Sequence, residues 1–188
     1  MGRFIIETEM LIYSAIIGLI VALVIFIIDK IKKRDISAIF RHVMTALCII
    51  YLLYLLTVTV FLREGNFEVK ISSELIPFRN LYRIFKNKTY RELIEVIANI
   101  LVFVPYGFLL KSIMPKKKYL PIALGAATTV SIEIIQYFSK RGVFDVNDMI
   151  NNLIGVLIGY GIYLLFQKTY QKIIEKKRLK ELMTGEKL

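Results

Sequence analysis

The sequence predicts an all-α membrane protein, a bundle of about five transmembrane helices with an outer interfacial loop or helix. Three observations carry that expectation. The 188 residues are 56% hydrophobic with a mean hydropathy of +0.60, too apolar for a soluble domain of this size. Five apolar runs are each long enough to cross the hydrocarbon core, which takes about twenty helical residues. Basic residues concentrate between and after those runs, as they do at membrane surfaces. The net charge of +11 is therefore assigned to topology and anionic headgroups, not to nucleic acid.

The first span is expected at 10–28, MLIYSAIIGLIVALVIFII. Glu7 and Glu9 precede it, no small-residue cleavage site follows, and DKIKKRD resembles a stop-transfer segment. It therefore reads as an anchor rather than a signal peptide. The second span is expected at 43–62, the third at about 93–111, the fourth at 119–138 and the fifth at 148–166. Residues 1–42 form the N-terminal span and a basic loop, 43–166 the core, and 167–188 a basic tail that prolongs the last helix. Lysine and arginine set the orientation. Segments 29–42, 111–118 and 168–188 hold sixteen, and the opposite side holds ten spread over a longer loop. The N-terminus is placed outside and the C-terminus in the cytoplasm of a multi-pass cell-membrane protein.

The outer loop between spans two and three has its own pattern. NFEVKIS, residues 66–72, alternates as a short strand would. SELIPFRNLYRIF then mixes Leu75, Ile76, Phe78, Leu81, Tyr82 and Phe85 with Arg79 and Arg83. That suits a helix in the headgroup plane or a cap over the bundle. Pro77 fits the first turn of such a helix, where its missing N–H costs little.

Cys48 stands alone among Leu and Ile, so no disulfide or cysteine metal site is expected. His42, the only histidine, lies at a helix entrance beside Arg41. No metal and no cofactor are expected.

The chemistry concentrates in residues 131–155, SIEIIQYFSKRGVFDVNDMINNLIG. Thr129, Glu133 and Gln136 lie at i, i+4 and i+7 on one face of span four. Asp148, Asn152, Gly155 and Gly159 share one face of span five. Glu133 is about five residues from the outer end of its span, and Asn99 and Asn152 lie at similar depth on theirs. An ionisable group in a bilayer is expensive, so such residues mark function by default. The Gly155–Gly159 spacing allows close backbone approach to a neighbouring helix. Pro105 breaks one backbone bond of span three and permits a kink. Gly142 offers a sharp reversal between spans four and five, and Asp145 or Asn147 an N-cap for the latter. The expected ligand-binding set is Asn99, Glu133, Gln136, Arg141, Asp145, Asp148, Asn151 and Asn152. Glu133 and Asp148 are the candidates for any catalysis.

The chain resembles the VanZ-like family, named after a teicoplanin-resistance protein. The resemblance rests on LIPF at Leu75–Phe78, NILVFVPYGFLL from Asn99, SIEIIQ from Ser131, then Arg141, Asp145, Asp148 and NNLIGVLIG ending at Gly159. Pro105-Tyr106-Gly107 stands where the family has Pro-Phe-Gly. The resemblance covers about residues 45–166 and implies a link to lipoglycopeptide (teicoplanin) resistance. The partners it implies are a membrane lipid or lipid-linked cell-wall precursor, and the lipoglycopeptide antibiotic itself.

Two readings stay open. In one, an outer-leaflet polar pocket binds a lipid headgroup or lipid-linked envelope component without chemistry. In the other, an intramembrane hydrolase or transferase acts on a lipid-linked substrate, with Glu133 as general acid or base, Arg141 holding phosphate and Asp148 orienting. A channel is disfavoured because the polar groups cluster in one half of the bilayer.

Overall fold

The computed structural model describes residues 36–61, 75–87, 90–142 and 144–184, with a few helical positions between 16 and 28. The expected first span is mostly outside the described residues, and the expected strand at 66–72 is wholly outside them. Among the described residues the elements are all helical. They are α1 (Ile36–Leu56), which runs on into a π-helical turn (Thr57–Phe61), α2 (Arg79–Asn87), α3 (Tyr90–Ile113), α4 (Leu120–Phe138) and α5 (Val146–Thr184).

Among the described residues, four stretches are long and apolar enough to cross a membrane: Ile39–Val60, Glu92–Ile113, Leu120–Phe138 and Val146–Leu179. They fall on the last four expected spans. Ile94, Leu101, Val130, Leu157 and Leu165 are exposed on the outside of the bundle. In water that much exposed apolar surface would aggregate; facing lipid it costs nothing. At 1.5 Å per residue the 39 residues of α5 extend about 58 Å. That exceeds the hydrocarbon core of about 30 Å, so α5 carries the basic tail beyond it as unbroken helix.

The helix ends follow from local sequence. Pro121 stands in the first turn of α4, where an N–H would have no partner. At the other end of α4 the Lys140 N–H bonds Tyr137 O (3.2 Å) and the Arg141 N–H bonds Gln136 O (3.0 Å). These two bonds make a Schellman closure, with Lys140 in the left-handed position at φ 54°. Gly142 is thus not the residue that closes the helix. Lys140 is exposed, so Lys140→Gly should relieve strain without losing a contact. A gain of about 1 kcal/mol is expected in a denaturant titration of the solubilised protein.

The turn at Leu75–Phe78 precedes α2. Phe78 has φ 62°, a backbone geometry that cannot continue into a helix. Pro77 therefore lies in the turn and not in the first turn of α2, contrary to the expectation from sequence. Tyr82 and Phe85 are exposed on α2, and Lys86 Nζ sits 5.5 Å from the Tyr82 ring centroid.

The core of the bundle is Cys48, Leu55, Val60, Phe103, Tyr106, Leu110, Ile132 and Val156. Tyr51 donates its hydroxyl to Val102 O (2.9 Å), tying α1 to α3. Tyr106 pairs with Thr128 Oγ1 (2.9 Å), tying α3 to α4. Thr128 also donates to Leu124 O, so the Tyr106 hydroxyl is the donor.

Helices α3 and α5 pack parallel. A Cβ on Gly155 would collide with Ile100 O, one on Gly159 with Val104 O, and one on Gly107 with Val156 O. The glycines are what allow backbone to touch backbone. At the far end of α3, Lys111 is buried and folds back on the connector. It donates to Pro115 O (2.9 Å) and Lys117 O (2.8 Å) and lies 5.0 Å from the Tyr160 ring centroid.

Candidate functional site

The site is built around the N-terminus of α5. Asp145 is the N-cap residue. Its carbonyl accepts the Met149 N–H (3.3 Å), and its Oδ1 accepts both the Asn147 N–H (2.7 Å) and the Asn147 Nδ2 (2.9 Å). This satisfies a helix donor that would otherwise be orphaned. In a capping box the N-cap N–H is taken by an acid three residues on. Here Glu133 from α4 takes the N–H, with Oε2 3.0 Å from Asp145 N. Asp148 reaches α3, where Asn99 Nδ2 donates to its Oδ1 at 2.7 Å. The acids gather at the positive end of the α5 dipole, which favours them.

Asn147 has a second task. Its Oδ1 accepts the Arg79 N–H (3.1 Å), so the start of α2 is pinned to the first turn of α5. Sequence reasoning assigned Asn147 only a possible N-cap role. Its tether to α2 has no local signal.

The expected face of α4 is buried: Thr129, Glu133 and Gln136 are each 1–2% exposed. Gln136 reaches α1, donating Nε2 to Thr59 O (2.7 Å) in the π-turn. Carbonyls in the last turn of a helix lack intrahelical donors, and a π-turn shifts the pattern further. Gln136 thus closes the end of α1 from across the bundle. Gln136→Leu keeps the volume but strands that carbonyl. It should lower stability by about 1–3 kcal/mol in detergent unfolding, with Gln136→Glu no better because it too lacks the donor.

The remaining expected residues are placed less tightly. Arg141 stands half-exposed in the turn after α4. Asn152 is 4% exposed, and its side-chain oxygen has no hydrogen-bond partner among the described residues. Asn151 is half-buried, about 100° round the helix from Asn152. Among the described residues no three His, Cys, Asp or Glu side chains are grouped to hold a metal.

Beside Asn99 a groove of about 420 Å³ opens between the end of α1 and α3. It is lined by Val58, Thr59, Ala98, Asn99, Leu101 and Val102. Glu133 and Asp148 are not among its walls. Buried polar groups therefore hold the helix ends together, and one of them, Asn99, also meets an open cleft.

A family model described as VanZ/LLP1 matches residues 48–167. Protein VanZ of Enterococcus faecium is 33% identical over 75 residues, 39% of this chain and 47% of that protein. The aligned part of the chain thus spans about half the length of that relative. No solved structure matches.

Proposed function

The chain belongs to the VanZ/LLP1 family, and on that premise we propose a role for its polar end at the outer face of the cell membrane. There it holds the headgroup of a membrane lipid or lipid-linked cell-wall precursor. Occupation of that site lowers the access of lipoglycopeptide antibiotics such as teicoplanin to their lipid-linked targets. The N-terminus lies outside and the C-terminus in the cytoplasm, as the lysine and arginine distribution favours.

One observation carries the reading. Asn99, Glu133, Asp145 and Asp148, from three helices, are linked through hydrogen bonds at one end of an apolar bundle. Charged and amide side chains at membrane depth are expensive enough that anchoring alone would not keep them. Glu133 serves this reading as a positioning residue that fixes the start of α5, because it is 1% exposed and its Oε2 accepts a backbone N–H.

The test is to purify the protein gently and identify co-purifying lipid by mass spectrometry, alongside teicoplanin tolerance of cells that express it. The double variant Glu133→Ala, Asp148→Ala is expected to lose the bound lipid and the tolerance together. Retention of both would remove this site from the function.

A further inference from the structure

The groove between the end of α1 and α3 has walls of unusual chemistry for a cleft in a membrane bundle. Two side-chain donors in those walls are spent inside the protein. Asn99 gives Nδ2 to Asp148 Oδ1 (2.7 Å), and Thr59 gives its hydroxyl to Leu55 O (2.7 Å). The walls also present acceptors, among them Asn99 Oδ1. Leu101 keeps a carbonyl whose helical donor would be residue 105, which is proline and has no N–H. One turn along α5 from Asp148, the buried oxygen of Asn152 also lacks a donor. Among the described residues that line it, none carries a charge of either sign.

From this we infer that the groove is a lateral binding site for a membrane lipid with an uncharged, hydroxyl-bearing headgroup, of the glycosyl-diacylglycerol kind. Its hydrocarbon chain lies against Val58, Ala98 and Val102. Its hydroxyls donate to Asn99 Oδ1 and the Leu101 carbonyl. A phosphate brings acceptors to acceptors, and neither it nor an ammonium finds a counter-charge among the lining residues. Burying such a charge unpaired is costly. A hydroxyl supplies the missing donor without that penalty. The volume of about 420 Å³ lies within the range of about 300–1,000 Å³ typical of small-ligand sites. The inference rests on the outward orientation proposed above only for which leaflet supplies the lipid.

The experiment uses the full chain in phosphatidylglycerol vesicles. They carry equal amounts of either a glucosyl-diacylglycerol or a phosphatidylglycerol with the same photoactivatable acyl chain, and labelled peptides are mapped. The glycolipid is expected to label residues 57–61 and 98–102 about five-fold more than the phospholipid, the effect of roughly one hydrogen bond. Asn99→Leu should erase that preference. Ala98→Trp, which fills the groove from an exposed wall position, should remove the labelling there, with Ala98→Ile in between. Labelling around Val130 and Ile134 on the lipid face of α4 should stay unchanged in all three variants. Equal labelling by the two lipids overturns the inference, as does labelling untouched by Ala98→Trp. So do cross-links from the walls to residues 10–28 or to a second copy. If Glu133→Ala with Asp148→Ala abolishes co-purified lipid while Ala98→Trp retains both lipid and tolerance, the groove is excluded and the polar-end reading stands.

Discussion

Gly159→Leu is expected to leave little correctly folded protein in the membrane. A Cβ at 159 would strike the Val104 carbonyl oxygen and come within 2.7 Å of Phe108 N. Both are backbone atoms of α3, which cannot rotate aside as a side chain would. The helices can only move apart. In lipid, apolar side chains gain nothing by leaving acyl chains for one another, so close van der Waals contact is a main source of association. Separation of α3 from α5 would also stretch the 2.7 Å bond between Asn99 and Asp148. Overpacking by a few methylenes costs about 1–3 kcal/mol in a core that can adjust, and this contact has little room to adjust. Gly159→Ala should be measurably less stable than the parent and Gly159→Leu far worse. Gly161 supplies the control, since a Cβ there meets nothing within 4 Å. Gly161→Ala should be neutral or slightly stabilising, by up to about 1 kcal/mol, from helix propensity alone. Thermal unfolding of detergent-solubilised protein separates the series. Gly159→Leu melting with the parent would mean that α3 and α5 do not pack through these glycines.

The spacing of Gly155 and Gly159 announced a close contact, but not with which helix. A short turn makes α4 the neighbour of α5 in sequence, yet the glycines lie on α3, their parallel partner. Periodicity fixes a face and leaves the partner open, because any helix without bulk at the matching height can fill it. The same limit explains the polar residues. The spacing of Thr129, Glu133 and Gln136 was enough to bury them together. Their partners were hidden, because the Asp145 N–H and the Thr59 carbonyl are backbone groups that every sequence position possesses. The π-turn at 57–61 has no signature in TVTVF, a β-branched run that reads equally well as the end of a plain helix. Pro77 misled because proline is as good in a turn as at the start of a helix, and the left-handed Phe78 decides between them. The second, third and fourth spans were legible to within a few residues, since hydropathy integrates over about twenty positions and tolerates local error, whereas the fifth helix runs on well past the expected residue 166 to Thr184.

Glu133 separates capping from catalysis. Its Oε2 accepts the N–H of the α5 N-cap residue at 3.0 Å, and the side chain is 1% exposed. Glu133→Leu removes the acceptor and leaves that donor unpaired, at a cost of about 1–3 kcal/mol. The loss should spread, because Asp145 organises Asn147, which holds α2 through the Arg79 N–H. Glu133→Gln retains a carbonyl oxygen of the same reach while removing the charge. It loses the favourable interaction with the helix dipole, about 0.3–1 kcal/mol, and is spared part of the expense of burying a carboxylate. The expected order of stability is therefore parent and Glu133→Gln close together, with Glu133→Leu well below. Amide hydrogen exchange gives the site-specific readout. Protection at Asp145, Asn147 and Arg79 should survive in Glu133→Gln and fall in Glu133→Leu. On the proposed role, antibiotic tolerance should track that protection. A Glu133→Gln protein with parental protection but no tolerance would require the carboxyl itself, through its charge or its proton, and the capping account of Glu133 would then be incomplete at the one residue where it is most specific.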